Sequence, residues 1–263
     1  MQDLYNYLQE YYDIDADLCK LARDAEDKAK PEFEQIEATA KINQARVLSA
    51  FRQTGIADYH LRDGNGYGYG DPGREGLEEV YALTFRTEAA LVRAQIISGT
   101  HAISLALASI LKPGDVLLSA TGTPYDTLAK IIGVSNGKGR SLRGEGIIYK
   151  EASLSAEGRL DYEKIREMLT EKPSAVFIQR SRGYSWRQAL SIQEINDLVC
   201  LIKEYDSNII CFVDNCYGEF VEEQEPTDVG VDLMAGSLIK NPGGGLAPSG
   251  GYLVGKEDLV AQA

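Results

Sequence analysis

Ile209-Ile210-Cys211-Phe212-Val213-Asp214-Asn215-Cys216-Tyr217-Gly218 is an apolar run that ends in a carboxylate. Further on, Ser237-Leu238-Ile239-Lys240-Asn241-Pro242-Gly243-Gly244-Gly245 is a second short apolar stretch that ends in a lysine and breaks into a glycine-rich turn. Short apolar runs bounded by turn formers read as buried strands. Working outward, the same punctuation gives strands at 91–97, 116–119, 146–149, 175–179, 209–213, 234–238 and 251–254. Helical spacing falls between them, at 100–111, 125–132, 162–169, 192–204 and 256–260. This alternation predicts an α/β protein with a mostly parallel seven-stranded sheet covered by helices. Ligands of such sheets bind beyond the carboxyl ends of the strands, and Ser98, Tyr125, Asp214 and Lys240 each follow a predicted strand.

A strand-end acid followed by a strand-end lysine suits one cofactor in particular. Pyridoxal phosphate needs a lysine amine for its Schiff base and an acid opposite its ring nitrogen. Ionised Asp214 would keep that nitrogen protonated, through a charge-assisted contact on the order of 1.5–3 kcal/mol. Strands often end in Asp and lysines are common, so the pair alone is also explained without a ligand.

Two upstream elements add to it. Ser98-Gly99-Thr100-His101-Ala102 reads as the turn from a strand into a helix, where free N–H groups and the helix dipole favour an anion. Gly99 would let backbone come close, and the Ser98 and Thr100 hydroxyls could donate to a phosphate. Ser and Thr are also ordinary N-caps. Tyr125, in Thr121-Gly122-Thr123-Pro124-Tyr125-Asp126-Thr127, could cover the face of a flat cofactor, although the chain has 15 tyrosines.

Together these stretches resemble the fold-type-I pyridoxal-phosphate enzymes of cysteine and methionine metabolism, which include cystathionine lyases and methionine gamma-lyase. With Gly64-Asn65-Gly66-Tyr67-Gly68-Tyr69-Gly70, they look most like the methionine gamma-lyase-like group known as aluminium resistance proteins. The resemblance implies that Lys240 is the Schiff-base lysine and Asp214 the partner of the pyridine nitrogen. It puts Ser98, Gly99 and Thr100 on the phosphate-binding turn, Tyr125 on the ring-stacking tyrosine, and Ser237 on a phosphate-binding serine. It also implies carbon–sulfur lyase chemistry on a sulfur amino acid, with Lys240 taking the alpha proton and a thiol leaving. Transamination would use the same residues, and a non-catalytic cofactor-binding fragment would keep them too. Ile239 stands where the branch usually carries a second hydroxyl residue. Tyr67, Tyr69 and Arg74 lie near the branch's partner-reaching segment without matching its spacing. By resemblance the protein is a homodimer or homotetramer.

The rest of the chain bounds these readings. Residues 1–73 form a helical arm and a Gly/Tyr-rich segment, and 74–263 form the large domain. Helical spacing at 14–30 and 32–53 is divided by Pro31, and a further helix is predicted over 74–88. The 263 residues carry 27 Lys+Arg against 40 Asp+Glu, a net −13, which disfavours nucleic acid or an anionic membrane as partner. No signal peptide or membrane span is legible, so a cytoplasmic location is expected. Cys19, Cys200, Cys211 and Cys216 have no metal-site spacing and are expected as buried thiols. With two histidines, His60 and His101, no histidine-rich metal site is expected; His101 falls in a first helical turn. The GxGxxG fingerprint and the Walker A sequence are absent. Fold-type-I enzymes normally continue into a small C-terminal domain that supplies an arginine for the substrate carboxylate. No counterpart is assigned here, and a fragment is expected.

Overall fold

The computed structural model describes residues 3–62, 64, 70–135 and 140–263. Tyr67 and Tyr69 lie outside them. By compactness the chain parts into Met1–Gln44 and Ala45–Ala263.

The first unit holds α1 (Leu4–Tyr12) and most of α2 (Ala16–Thr54). Asp3 caps α1 by accepting the Tyr5 N–H, and Asp13 ends it in a left-handed conformation. Buried Tyr5 and Cys19 hold the two helices together, with the Cys19 thiol 3.9 Å from the Tyr5 carbonyl. Pro31 does not divide two helices as expected; α2 runs through it for 39 residues. Proline removes one i→i−4 bond and strains the preceding turn. Here that turn is open to water, which can take up the Asp27 carbonyl.

The second unit begins with the rest of α2 and a single 3₁₀ turn at Asp58–Leu61. Then follow α3 (Pro72–Phe85), β1 (Ala89–Arg93), α4 (Gly99–Ile110), β2 (Val116–Ser119), α5 (Asp126–Ile132) and β3 (Ile148–Glu151). The chain continues through α6 (Tyr162–Leu169), β4 (Ala175–Gln179), α7 (Ile192–Tyr205), β5 (Ile210–Asp214), β6 (Leu233–Ser237), β7 (Gly251–Gly255) and α8 (Glu257–Ala261). Helix α3 starts two residues earlier than its apolar spacing indicates, because Asp71 caps it and Pro72 needs no N–H partner there.

The seven strands form one sheet in the order β1-β7-β6-β5-β4-β2-β3, parallel except for β7, which runs antiparallel to both neighbours. Every residue of β4, β5 and β6 is buried or nearly so, as for strands covered on both faces. Alternation then sorts the side chains. Val176, Ile178, Cys211, Val213 and Met234 face α7 residues Ile195, Leu198, Val199 and Ile202. Phe177, Phe212, Leu233 and Ala235 face α4 and α5 through Ile103, Leu107, Leu128 and Ile132. The Phe177 and Phe212 rings meet at 5.7 Å, and truncating either to Ala should cost about 3–5 kcal/mol.

One strand is displaced from its expected place. β1 ends at Arg93, and the apolar Ala94-Gln95-Ile96-Ile97 is a turn. Ile96 is apolar because it buries against Gly251 in the turn, while Ile97 is exposed. Ser98 therefore follows a turn rather than a strand. It still reaches the strand ends, since Gly251 pairs with both Arg93 and Ser237 and so brings the carboxyl ends of β1 and β6 level.

Candidate active site

Four chain segments converge beyond the carboxyl ends of the parallel strands. They surround a pocket of about 410 Å³ whose lining includes Ser98, Gly99, Thr100, Tyr125, Asp214, Ser237 and Lys240. These are the seven residues that the resemblance put on the cofactor; His101 and Arg74 are not among its lining residues.

The first segment is the start of α4. Ser98 is its N-cap, accepting the His101 N–H at 3.1 Å, and Gly99 and Thr100 begin the first turn. Gly99 is required by packing: a Cβ there would fall 2.8 Å from Cys216 Sγ and 3.0 Å from Ser237 Cβ. The helix N-terminus thus seats against β5 and β6. His101 is in the first turn and exposed, as expected.

The second segment leads from β2 to α5 and carries Tyr125. Its hydroxyl is 3.0 Å from Thr100 Oγ1, and its N–H donates to Gln179 Oε1 at 3.2 Å. Burial, and then the Asp214 charge, push the phenol well above its ordinary range, so it stays protonated.

The third segment is the end of β5. Asp214 is 2% exposed and accepts the Cys216 N–H at 3.0 Å. Burial raises its pKa; the Cys216 hydrogen bonds and the Lys240 charge offset this incompletely. Burial also pushes the Cys216 thiol far up, with the Asp214 charge adding to it, so this cysteine is an inert neutral group.

The fourth segment follows β6. Ser237 is 1% exposed, and its Oγ has no hydrogen-bond partner among the described residues. A buried hydroxyl left unpaired costs on the order of 1–3 kcal/mol, so such an atom points to a missing acceptor or donor. Beyond it the chain turns sharply through Asn241–Gly243, where a side chain on Gly243 would overlap the Leu238 carbonyl. That turn presents Lys240 to the pocket. Burial pulls the Lys240 pKa down, but its neighbours, Tyr217 through a side-chain hydrogen bond and Asp214 through its charge among them, push it up by more, and the net shift is upward.

These residues fit pyridoxal phosphate. A helix N-terminus, two hydroxyls on it and the unpartnered Ser237 Oγ suit a phosphate, and a buried acid short of positive charge suits a protonated ring nitrogen.

The family model for methionine gamma-lyase matches residues 18–263. The chain belongs to the methionine gamma-lyase family. Within that relationship it is 51% identical over 244 residues to a Bacillus subtilis (strain 168) protein called uncharacterized protein YnbB, covering 92% of this chain and 58% of that one. It superposes on the crystal structure of a carbon–sulfur lyase involved in aluminum resistance from Clostridium novyi NT with a TM-score of 0.92 at 44% identity, covering 100% of this chain and 63% of that one. A more distant member, CalE6, a methionine gamma lyase from Micromonospora echinospora, gives a TM-score of 0.56 at 25% identity over 79% of this chain and 50% of that one. The chain thus spans less than two thirds of the length of each of these relatives. The fold is that of the fold-type-I large domain anticipated from the sequence.

In and around the pocket lie further residues, of which Gln179, Tyr184 and Tyr217 were not assigned a role from the sequence. Gln179, at the end of β4, fixes the Tyr125 loop and donates to the Ser181 carbonyl at 3.1 Å. Tyr184 lines the rim and is almost fully exposed. Tyr217 lies beside Lys240, its ring centroid 3.8 Å from Nζ. Ile239, where a hydroxyl was expected, is a half-exposed wall of the pocket. Arg74 sits in the first turn of α3, paired with Asp71 at 3.3 Å. Cys200, expected to be buried, is exposed on α7, while Cys19, Cys211 and Cys216 are buried. Among the described residues no helix is long and apolar enough to cross a membrane.

Proposed function

We propose that this chain is the cofactor-binding part of a pyridoxal-phosphate-dependent carbon–sulfur lyase acting on a sulfur amino acid. The observation that carries the reading is one pocket combining Lys240, buried Asp214, Tyr125 and the orphaned Ser237 hydroxyl with the N-terminus of α4. Membership of the methionine gamma-lyase family and likeness to the Clostridium novyi carbon–sulfur lyase support the choice of chemistry.

Bound here, pyridoxal phosphate would supply an electrophilic carbon for an amine and a ring able to take up the electrons left by alpha-proton loss. Ser98, Gly99, Thr100 and Ser237 would hold its phosphate through backbone N–H groups and hydroxyls. Asp214 would keep the ring nitrogen protonated, which lowers its own pKa by giving the buried carboxylate a cation. Tyr125 would cover one ring face, its orientation set by Thr100 and Gln179. Lys240 Nζ would hold the cofactor and, as a free amine, would take the alpha proton. A homo-oligomer is proposed on family grounds.

The test has two stages. Added pyridoxal phosphate should give a visible absorption band, and borohydride reduction followed by peptide mapping should fix the label on Lys240. Candidate sulfur amino acids are then supplied and products are analysed. Thiol and 2-oxo acid support the lyase; amino-group exchange with an added 2-oxo acid would replace it with a transaminase. Label on another lysine would remove the site assignment itself.

A further inference from the structure

We propose that Tyr217 is a positioning residue that holds the free Lys240 amine, as its cation, against the face of its ring at the pocket wall. Tyr217 is 61% exposed, so it is not there to fill a core. Its backbone is left-handed, with φ 70°, a conformation that a bulky side chain adopts at a penalty of roughly 1–2 kcal/mol. Such strain persists where surrounding contacts enforce it.

Those contacts are explicit. The Gly218 N–H returns to the Asn215 carbonyl at 2.7 Å. Arg180 Nη1 donates to Asn215 Oδ1 at 2.9 Å and to the Gly218 carbonyl at 2.8 Å. Asn241, the neighbour of Lys240, donates from Nδ2 to the Tyr217 carbonyl at 3.3 Å and to the Glu219 carbonyl at 2.8 Å. One side chain therefore ties the lysine turn to the strained loop, and fixes ring and amine relative to each other.

With Nζ 3.8 Å from the ring centroid, the amine lies over the negative face of the ring. Asp214, Cys216 and the Tyr217 hydroxyl itself are the titratable groups bearing on it, and Cys216 stays neutral. A lysine that alternates between bonded and free states needs a place for the free amine where it neither wanders nor seals against Asp214. The ring face is such a place. It favours the protonated amine, and so the return of a proton to product, without a competing anion. The ring–amine contact stands whatever the reaction is; its catalytic meaning rests on Lys240 being the cofactor lysine.

The test uses the chain without pyridoxal phosphate. Lys240 acylation by a small amine-selective reagent is followed against pH, by peptide mass spectrometry, in the wild type and in Tyr217→Phe, Tyr217→Leu and Tyr217→Gly. The midpoint of the profile reports the amine's protonation, whereas the plateau reports access. Leu and Gly should move the midpoint to lower pH, raising the rate below the midpoint about threefold. Phe should keep the wild-type profile. Glycine suits a left-handed position, so that variant should fold even if Leu does not. Unmoved midpoints in Gly and Leu would overturn the proposal. A Phe profile that matches Leu would assign the effect to the hydroxyl and also overturn it. Borohydride mapping of the cofactor-loaded protein separates this outcome from failure of the cofactor assignment.

Discussion

Tyr252 donates its hydroxyl to Glu219 Oε1 across 2.7 Å, and both side chains are enclosed within the protein. Glu219 Oε2 has no hydrogen-bond partner among the described residues. A side chain on Gly236 would collide with both groups, so β6 passes directly against the pair. Burial pushes the Glu219 pKa up to about 8; the Tyr252 hydrogen bond opposes the shift, and the Glu225 and Asp214 charges reinforce it. Tyr81 and Cys216 also face this cluster and stay neutral.

The folded state therefore holds a proton on Glu219 that the unfolded chain releases near the ordinary carboxylate value. Stability from this group is complete below that value and is lost as pH rises through about 8. Glu219→Gln keeps the shape of the neutral acid and removes its titration. Its stability relative to wild type should grow by on the order of 4 kcal/mol between about pH 4.5 and pH 8. Urea unfolding of both proteins across that range checks it, and a pH-independent difference would mean that Glu219 is charged in the fold.

Ser237→Ala removes a hydroxyl that bonds nothing among the described residues. Stability without cofactor should stay within about 0.5 kcal/mol of wild type or rise slightly. Affinity for pyridoxal phosphate should fall about tenfold, the equivalent of one lost hydrogen bond to a charged group. Thermal unfolding and an absorbance titration read the two quantities separately. A large loss of stability with unchanged affinity would give Ser237 a purely structural role.

Much of this architecture is local, and so was legible in the sequence. Ala175–Gln179 is an apolar run set between turn formers, and Tyr162–Leu169 carries a capping Asp161 and helical spacing; both elements have their expected limits. Lys240 was legible because a glycine turn must follow it. Tyr217 was not, because its left-handed backbone is imposed by Arg180 and Asn241 from distant segments. Glu219 stands in the sequence close to Glu222, Glu223 and Glu225, and only the fold shows it enclosed beside Tyr252. Ile96 and Ile97 looked like strand because apolar residues anchoring a turn carry the same signal.

Pro31 misled for the converse reason: its local rule is sound, but the helix continues on both sides of it. Pro31→Ala should restore the bond to the Asp27 carbonyl and relieve the ring clash. The first unit should gain up to about 3 kcal/mol in local helix stability. Amide exchange at residues 27–35 should slow accordingly, while exchange in β4 and β5 stays unchanged. Faster exchange around position 31 would mean that the proline is needed for the helix to bend.

Gly99→Ala tests how tightly the phosphate-binding turn is seated. The added methyl meets Cys216 Sγ at 2.8 Å and Ser237 Cβ at 3.0 Å, and neither neighbour is the free end of a flexible chain. Helix α4 must shift away from β5 and β6, at about 1–3 kcal/mol of stability, moving its N–H groups out of line with Ser237. Removing the sulfur in Gly99→Ala/Cys216→Ala opens one of the two contacts. The double variant should therefore be less destabilised than the sum of the single changes, by about 0.5–2 kcal/mol. Cofactor affinity should recover in the same order. Strictly additive losses would mean that the methyl is accommodated elsewhere and that Gly99 does not set the distance between the helix and the strand ends.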